Sequence, residues 1–312
     1  MIPHAQFLIL TVILLFAAFP MFGQQPFSVQ PATIHCSEGD VLLANSEVNV
    51  TFGDFPVMFA GEELKTGHGR AEVLLWPGVI VRLDSGSSFR LLSNGQTGFP
   101  IEFLSGSLIV EALRNQEEPG VTVSYGGTLV HLTKAGLYRF DSKAGTLRVF
   151  TGSATVESAG RKIEIRNARV LPLDGRLTPA KSKDNAADSF DQWSWRRTAL
   201  MHRANWELWL SARKTKVPLR GSGWVSSPNY HVLTYVPAKG VRCSAYGYGF
   251  LNGNGWPSGG GVCASYFKGQ ESPDAPDYLK SDRSLYPNPG TGTYPTRIPS
   301  EGTPIPPFPV TR

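Results

Sequence analysis

The stretch Gly126–Ser158, GGTLVHLTKAGLYRFDSKAGTLRVFTGSATVES, restricts the fold of this chain more than any other. Thr128, Val130 and Leu132 alternate with Leu129, His131 and Thr133, the period of two that belongs to a strand with one buried face. Lys134-Ala135-Gly136 breaks the run and Leu137–Asp141 resumes it. Asp141-Ser142-Lys143-Ala144-Gly145 then supplies the Asp, Ser and Gly of a short hairpin loop. Thr146–Phe150, Ala154–Ser158 and Lys162–Arg166 follow as strands, separated by Gly152-Ser153 and Ala159-Gly160. The polar residues of this meander fall on turns or on the alternate face of a strand, so no catalytic loop is expected in it.

The same rhythm begins upstream. AEVLLW, VIVRLD, SFRLLS, IEFLSG and SLIVEAL follow one another from Ala71, punctuated by Pro77-Gly78, Ser85-Gly86 and Asn94-Gly95. Short strands with turn signals about every 8–12 residues predict an all-β sandwich or a β-helix-like domain. Arg114–Gly120 reads as a surface loop, and Ala168–Leu173 with Asp174-Gly175 closes the series. The 33 Gly and 24 Pro among 312 residues fit many turns and few long helices.

The runs GRAEVLLWPGVIVRL, LSGSLIVE and AGLYRFD with GTLRVFTGSATV together resemble the FecR domain over roughly Gly69–Asp174, in particular that of secreted FecR-domain proteins of environmental bacteria. Better-known members carry this β domain in the periplasm, bind the signalling domain of a TonB-dependent transporter, and control a sigma factor through a membrane helix and a cytoplasmic segment. Here only six residues precede the apolar run Phe7–Phe22. The resemblance therefore implies an envelope-side β module that recognises another protein, with a transporter signalling domain as one candidate partner.

Phe7–Phe22, broken by Pro20 and followed by Gly23-Gln24-Gln25, reads as a signal peptide ending near Gly23. Its helical length of about 24 Å falls short of a hydrocarbon core of about 30 Å. The protein is thus expected to be exported, periplasmic or extracellular. Three cysteines in an oxidising compartment leave one over. Cys243 and Cys263 flank a Gly-rich aromatic loop and are expected to pair, leaving Cys36.

Asp184–Lys216 is the one long helical pattern, with Asp188 as cap, Phe190, Trp193, Arg197, Leu200, Met201, Ala204 and Leu208 at three- and four-residue spacing, and Pro218 beyond it. The net charge of +5 is concentrated here: Lys181–Arg220 holds nine Lys or Arg and four Asp or Glu, and nine minus four is the whole excess. A nucleic-acid surface is not expected. The helix is expected to dock on the β domain. The competing reading is peripheral contact with a membrane or acidic polymer through Arg196, Arg197, Arg203 and the nearby Trp side chains.

The expected organisation is mainly β. A signal peptide at 1–23 and an N-terminal β segment at 24–66 precede a FecR-like β domain at 67–180. A helix at 184–217, an aromatic, disulfide-stapled unit at 221–269 and a disordered Pro-rich tail at 270–312 follow. Tyr138, Arg139, Arg148 and Phe150 lie on paired strands and join aromatic and guanidinium groups of the kind frequent at contact hot spots. They are the candidate partner contacts, with burial of Tyr138 and Phe150 in the core as the alternative. Trp224, Tyr246, Tyr248 and Trp256 offer ring faces that could stack on sugars, or else form the small core of the C-terminal unit. Carbohydrate is accordingly the second candidate partner. No G-x-S-x-G, HExxH, P-loop or zinc-deaminase pattern is present, and Glu102 with Glu111 is a candidate carboxylate pair on neighbouring strands for glycoside chemistry, with solvated strand-face glutamates as the alternative. A non-enzymatic protein with no cofactor and no metal is expected.

Overall fold

The structure is a computed structural model describing residues 29–252 other than 94, 96–97, 116–119, 183–186 and 220–221, together with Cys263. The expected signal peptide and Pro-rich tail lie outside the described residues. In chain order the strands are β1 (Thr33–Leu43), β2 (Ser46–Glu47), β3 (Glu63–Trp76), β4 (Val79–Leu83), β5 (Ser88–Leu91), β6 (Phe99–Ser105) and β7 (Ser107–Ala112). They continue as β8 (Val121–Tyr125), β9 (Thr128–Leu132), β10 (Gly136–Asp141), β11 (Thr146–Thr151), β12 (Ser153–Ser158), β13 (Arg161–Arg166), β14 (Arg169–Pro172) and β15 (Ala180–Lys181). Helix α1 (Ser189–Thr215) and two hairpins, β16 (Gly223–Ser227) with β17 (Val232–Val236) and β18 (Gly240–Cys243) with β19 (Gly249–Asn252), complete the fold.

The first fifteen strands form one sheet in the order β13-β12-β9-β8-β6-β5-β3-β4-β7-β10-β11-β14-β15, with β1 along β3 and β2 on β1. The pairing is antiparallel except for β6 with β8. Strand β3 joins two layers: Glu63–Lys65 pairs with β5, Ala71–Trp76 pairs with β4, and β1 runs along its other side. It therefore crosses residue 66, where the sequence reading separated an N-terminal segment from the β domain. The crossing brings β1 and β3 very close. A Cβ on Gly69 would lie 2.2 Å from the Glu38 carbonyl oxygen, and Gly39 opposite it has φ +65°, so both positions require glycine.

The layers face each other across one core, so the fold is a sandwich and not a β-helix. Phe89, Ile101, Phe103, Val123, Val130 and Val156 of the first layer meet Val81, Val110, Tyr138, Phe140 and Val149 of the second. The Phe103 and Phe140 rings lie 6.2 Å apart. In the meander, Thr128, Val130 and Leu132 are buried while Leu129 is 41% exposed, as the period of two requires.

The second layer is covered on its outside too. Leu74, Ile80 and Leu113 pack with Met201 of α1 and with Trp224, Leu233, Tyr235 and Phe250 of the hairpins, while Ile109 and Leu137 pack with Phe190, Trp193 and Tyr246. All five residues of β4 are consequently buried. The aromatic unit is thus a second layer of cover on the sandwich, and its Trp and Tyr rings supply that packing.

The helix begins at Ser189 with Asp188 as its cap, and residues 184–186 of the expected start lie outside the described residues. The Asp188 carboxylate accepts from the Phe190 and Asp191 amides, and Asp191 returns a bond to the Asp188 amide. Asp188→Ala should cost about 1–2 kcal/mol in urea unfolding, the usual loss for a cap. Asp188→Asn keeps an acceptor for the amides and should cost less. Among the described residues no helix is long and apolar enough to cross a membrane.

Candidate functional site

The two outer faces of the sandwich differ in kind. Strands β3, β4 and β7 each carry one charge within an apolar run: Glu72 in AEVLLW, Arg82 in VIVRL and Glu111 in LIVEA. Register sets Glu72 directly opposite Arg82 and places Glu111 one step diagonal to it. All three are fully buried. Arg82 donates from Nε to Glu72 (2.8 Å), from Nη1 to Glu111 and Ser194 (2.8 Å each), and from Nη2 to Thr198 (3.0 Å). Arg197 of α1 donates to the second Glu72 oxygen at 2.8 Å, so two carboxylates meet two guanidiniums.

The cluster reaches every element around it. His35 of β1 contacts Glu72 through Nδ1 (2.8 Å) and accepts the Leu233 amide of β17 at Nε2 (2.8 Å). Ser244 donates to Glu111, Thr198 donates to Glu111, and Tyr246 donates to Ser194. Burial pushes Glu72 up, but Arg197 and Arg82 outweigh it and hold the carboxyl well below its usual range. Burial opposes the charge on Arg82 as well, and Glu72 and Glu111 overcome it. Burial raises the Tyr246 phenol, keeping it a donor. Nearby, Asn205 donates to the Tyr235 and Leu251 carbonyls and accepts from the Leu251 amide, tying both hairpins to α1. None of these roles was assigned from the sequence. The available signal was a lone charge inside each of three apolar strands.

The candidate contact residues fall on both sides of β10 and β11. Tyr138 points into the core, where its hydroxyl lies 2.7 Å from the Lys134 carbonyl and 2.9 Å from that of Ser153, so it is not a surface contact. Arg139 points outward to the chain's own helix, with bonds to Asp188 (2.7 Å) and Asp191 (2.9 Å) and its guanidinium 5.5 Å over Phe190. Arg148, opposite Arg139 in register, lies over the half-buried Phe150 ring. This face is thus the docking surface of α1.

The candidate sugar-stacking rings are also placed in packing. Trp224 and Tyr246 are buried, and Tyr248 is half-buried, stacked on His202 and Trp195. Trp256 lies outside the described residues. Glu102 pairs with Arg90 on the outside of the first layer, whereas Glu111 is buried behind the second, so the two carboxylates do not share a site. The Cys243–Cys263 disulfide is formed, and Cys36 is free and partly buried, with its thiol pushed up to about 11 by burial.

Among the described residues, the outside of the first layer is the open face. It carries half-buried and exposed side chains in cross-strand rows. Arg90 bridges Glu63 and Glu102, and Thr122, His131, Glu157 and Lys162 follow one another across β8, β9, β12 and β13. At one end of the sandwich a cleft of about 550 Å³ is lined by Lys134, Gly136, Ser153, Arg166 and Cys243. Among the described residues no group of three His, Cys, Asp or Glu is placed to hold a metal ion.

No family model matches the chain, and no curated protein is similar to it. Two crystal structures of a candidate anti-sigma factor from Parabacteroides distasonis are similar in part. The first, at 1.65 Å, has 14% identity and a TM-score of 0.33 over 44% of this chain and 64% of that one. The second, at 2.50 Å, has 15% identity and a TM-score of 0.34 over 46% and 72%.

Proposed function

We propose that this chain is an exported, non-enzymatic, FecR-like β module that recognises a protein partner in the cell envelope. One observation carries the reading: among the described residues, the outer face of one layer is filled by the chain's own helix and hairpins, while that of the other is left open. The open face presents Arg90, Thr122, Leu129, His131, Glu157 and Lys162 from neighbouring strands, a mixed polar surface of the sort that meets a folded partner. The runs resembling FecR domains supply the strands on both sides of the core, and the disulfide is compatible with an oxidising compartment. A transporter signalling domain is the first partner class to test.

The experiment is affinity capture from envelope extract with the parent protein, followed by a binding measurement with whichever partner is recovered. Leu129→Arg and Lys162→Glu together should weaken binding at least about tenfold, or about 1.4 kcal/mol. Leu210→Arg on the exposed flank of α1 should leave it unchanged. Arg139→Glu is a control for helix docking, since that guanidinium holds Asp188 and Asp191. Retention of full affinity by the double variant would remove the open face from consideration.

A further inference from the structure

We infer that His35 is a proton-operated latch that holds the β16–β17 hairpin on the sandwich at neutral pH and releases it when the imidazole gains a proton. The geometry sets the tautomer. The Leu233 amide can only donate, so Nε2 of His35 must present its lone pair, and the proton of the neutral ring then sits on Nδ1, pointing at Glu72. A second proton can enter only at Nε2. It would turn the acceptor of the Leu233 amide into a donor and set two N–H groups against each other.

The surroundings penalise that proton further. His35 is 4% exposed. Glu72 of β3 faces it, but this carboxylate is already shared by Arg82 of β4 and Arg197 of α1, and Arg197 Nη2 lies 3.5 Å from Nδ1. Cys36, next to it on β1, and the Phe55 ring at 5.8 Å add no negative charge, since burial keeps the thiol protonated. A charged His35 would give the cluster three cations against Glu72 and Glu111. Burial accordingly lowers the His35 pKa, with Glu72 only partly offsetting it.

The histidine of α1 that contacts the second hairpin behaves differently. His202 contacts the Gly249 carbonyl through Nδ1, and a protonated ring can make that bond as well as a neutral one. That contact therefore does not carry the sensitivity assigned to His35. A released hairpin exposes the imidazole, whose ordinary pKa near 6.5 is higher than in the closed state, so protons favour release as pH falls below that value. The limit for one such group is a rise in the open population of about 30-fold between pH 7.5 and 5.

Amide hydrogen exchange on the full chain, corrected for intrinsic rates, tests this. Protection at Leu233 and its β17 neighbours should fall about tenfold or more between pH 7.5 and 5, while β6 and β8 stay within about twofold. In His35→Gln, which has no titratable ring, the difference between β17 and β6 should not change with pH. Should that variant not fold, NMR titration of the parent imidazole replaces it. The ring should be the Nδ1–H tautomer at pH 7.5 and should protonate with the same midpoint as the loss of β17 protection. Constant β17 protection, an equal fall in His35→Gln, or a ring that protonates without release would each overturn the latch.

Discussion

Arg82→Leu should destabilise the fold by about 3–5 kcal/mol in urea unfolding, the usual cost of removing one partner of a buried ion pair. The side chain is fully buried and spends its donors on Glu72, Glu111, Ser194 and Thr198. Without it Glu111 keeps the hydroxyls of Thr198 and Ser244 but no cation, while Glu72 still has Arg197. Adding Glu111→Gln to Arg82→Leu should therefore recover part of the loss, because it removes the uncompensated charge. Arg82→Lys should fall between parent and Leu, since an ammonium cannot reach acceptors on two strands and a helix from one planar fork. A loss below about 1 kcal/mol for Arg82→Leu would mean that the cluster does not hold the outer layer in place.

The same cluster predicts acid sensitivity with a defined sign. Glu72 is held well below its ordinary value in the fold, so its contribution is complete above the unfolded value near 4.5. That contribution is lost as pH falls through the lower folded value. His35 acts in the same direction but earlier, as pH falls below about 6.5. Hairpin release should therefore precede global acid unfolding.

The second large effect is expected at the Cys243–Cys263 disulfide. Closing a loop with a sequence separation of 20 residues is worth about 3 kcal/mol in the chain-entropy account. That loop contains Ser244 and Tyr246, whose hydroxyls reach Glu111 and Ser194, and Phe250, which packs on Tyr235. Reduction, or Cys243→Ser with Cys263→Ser, should lower the stability of the hairpin layer by about this amount. The sandwich, with its core between the two layers, should change little. Tryptophan fluorescence reporting on Trp224 gives the first quantity, and hydrogen exchange in β6 and β8 gives the second. Equal losses in both regions would show that the layers unfold as one unit.

Much of the sandwich was written locally in the chain. The alternation Thr128-Val130-Leu132, the turn at Asp141–Gly145 and the cap at Asp188 each depend on a few neighbouring residues, and each occurs where pattern and turn chemistry place it. The pairing of Cys243 with Cys263 was legible because only three cysteines exist and two bracket one loop.

What required the tertiary structure is which face of the second layer is covered, and by what. Period-two patterning gives Arg139 and Arg148 an outward direction but cannot tell water from a helix that starts only at Ser189. Asp188 and Asp191 decide that for Arg139. Likewise Glu72, Arg82 and Glu111 look like ordinary strand-face charges until three strands set them side by side beneath α1. The desolvation that makes those charges costly, and the partners that offset it, arise only when residues distant in sequence converge. That is why the strands could be read from the chain while the buried cluster, the latch at His35 and the face left open by the described residues could not.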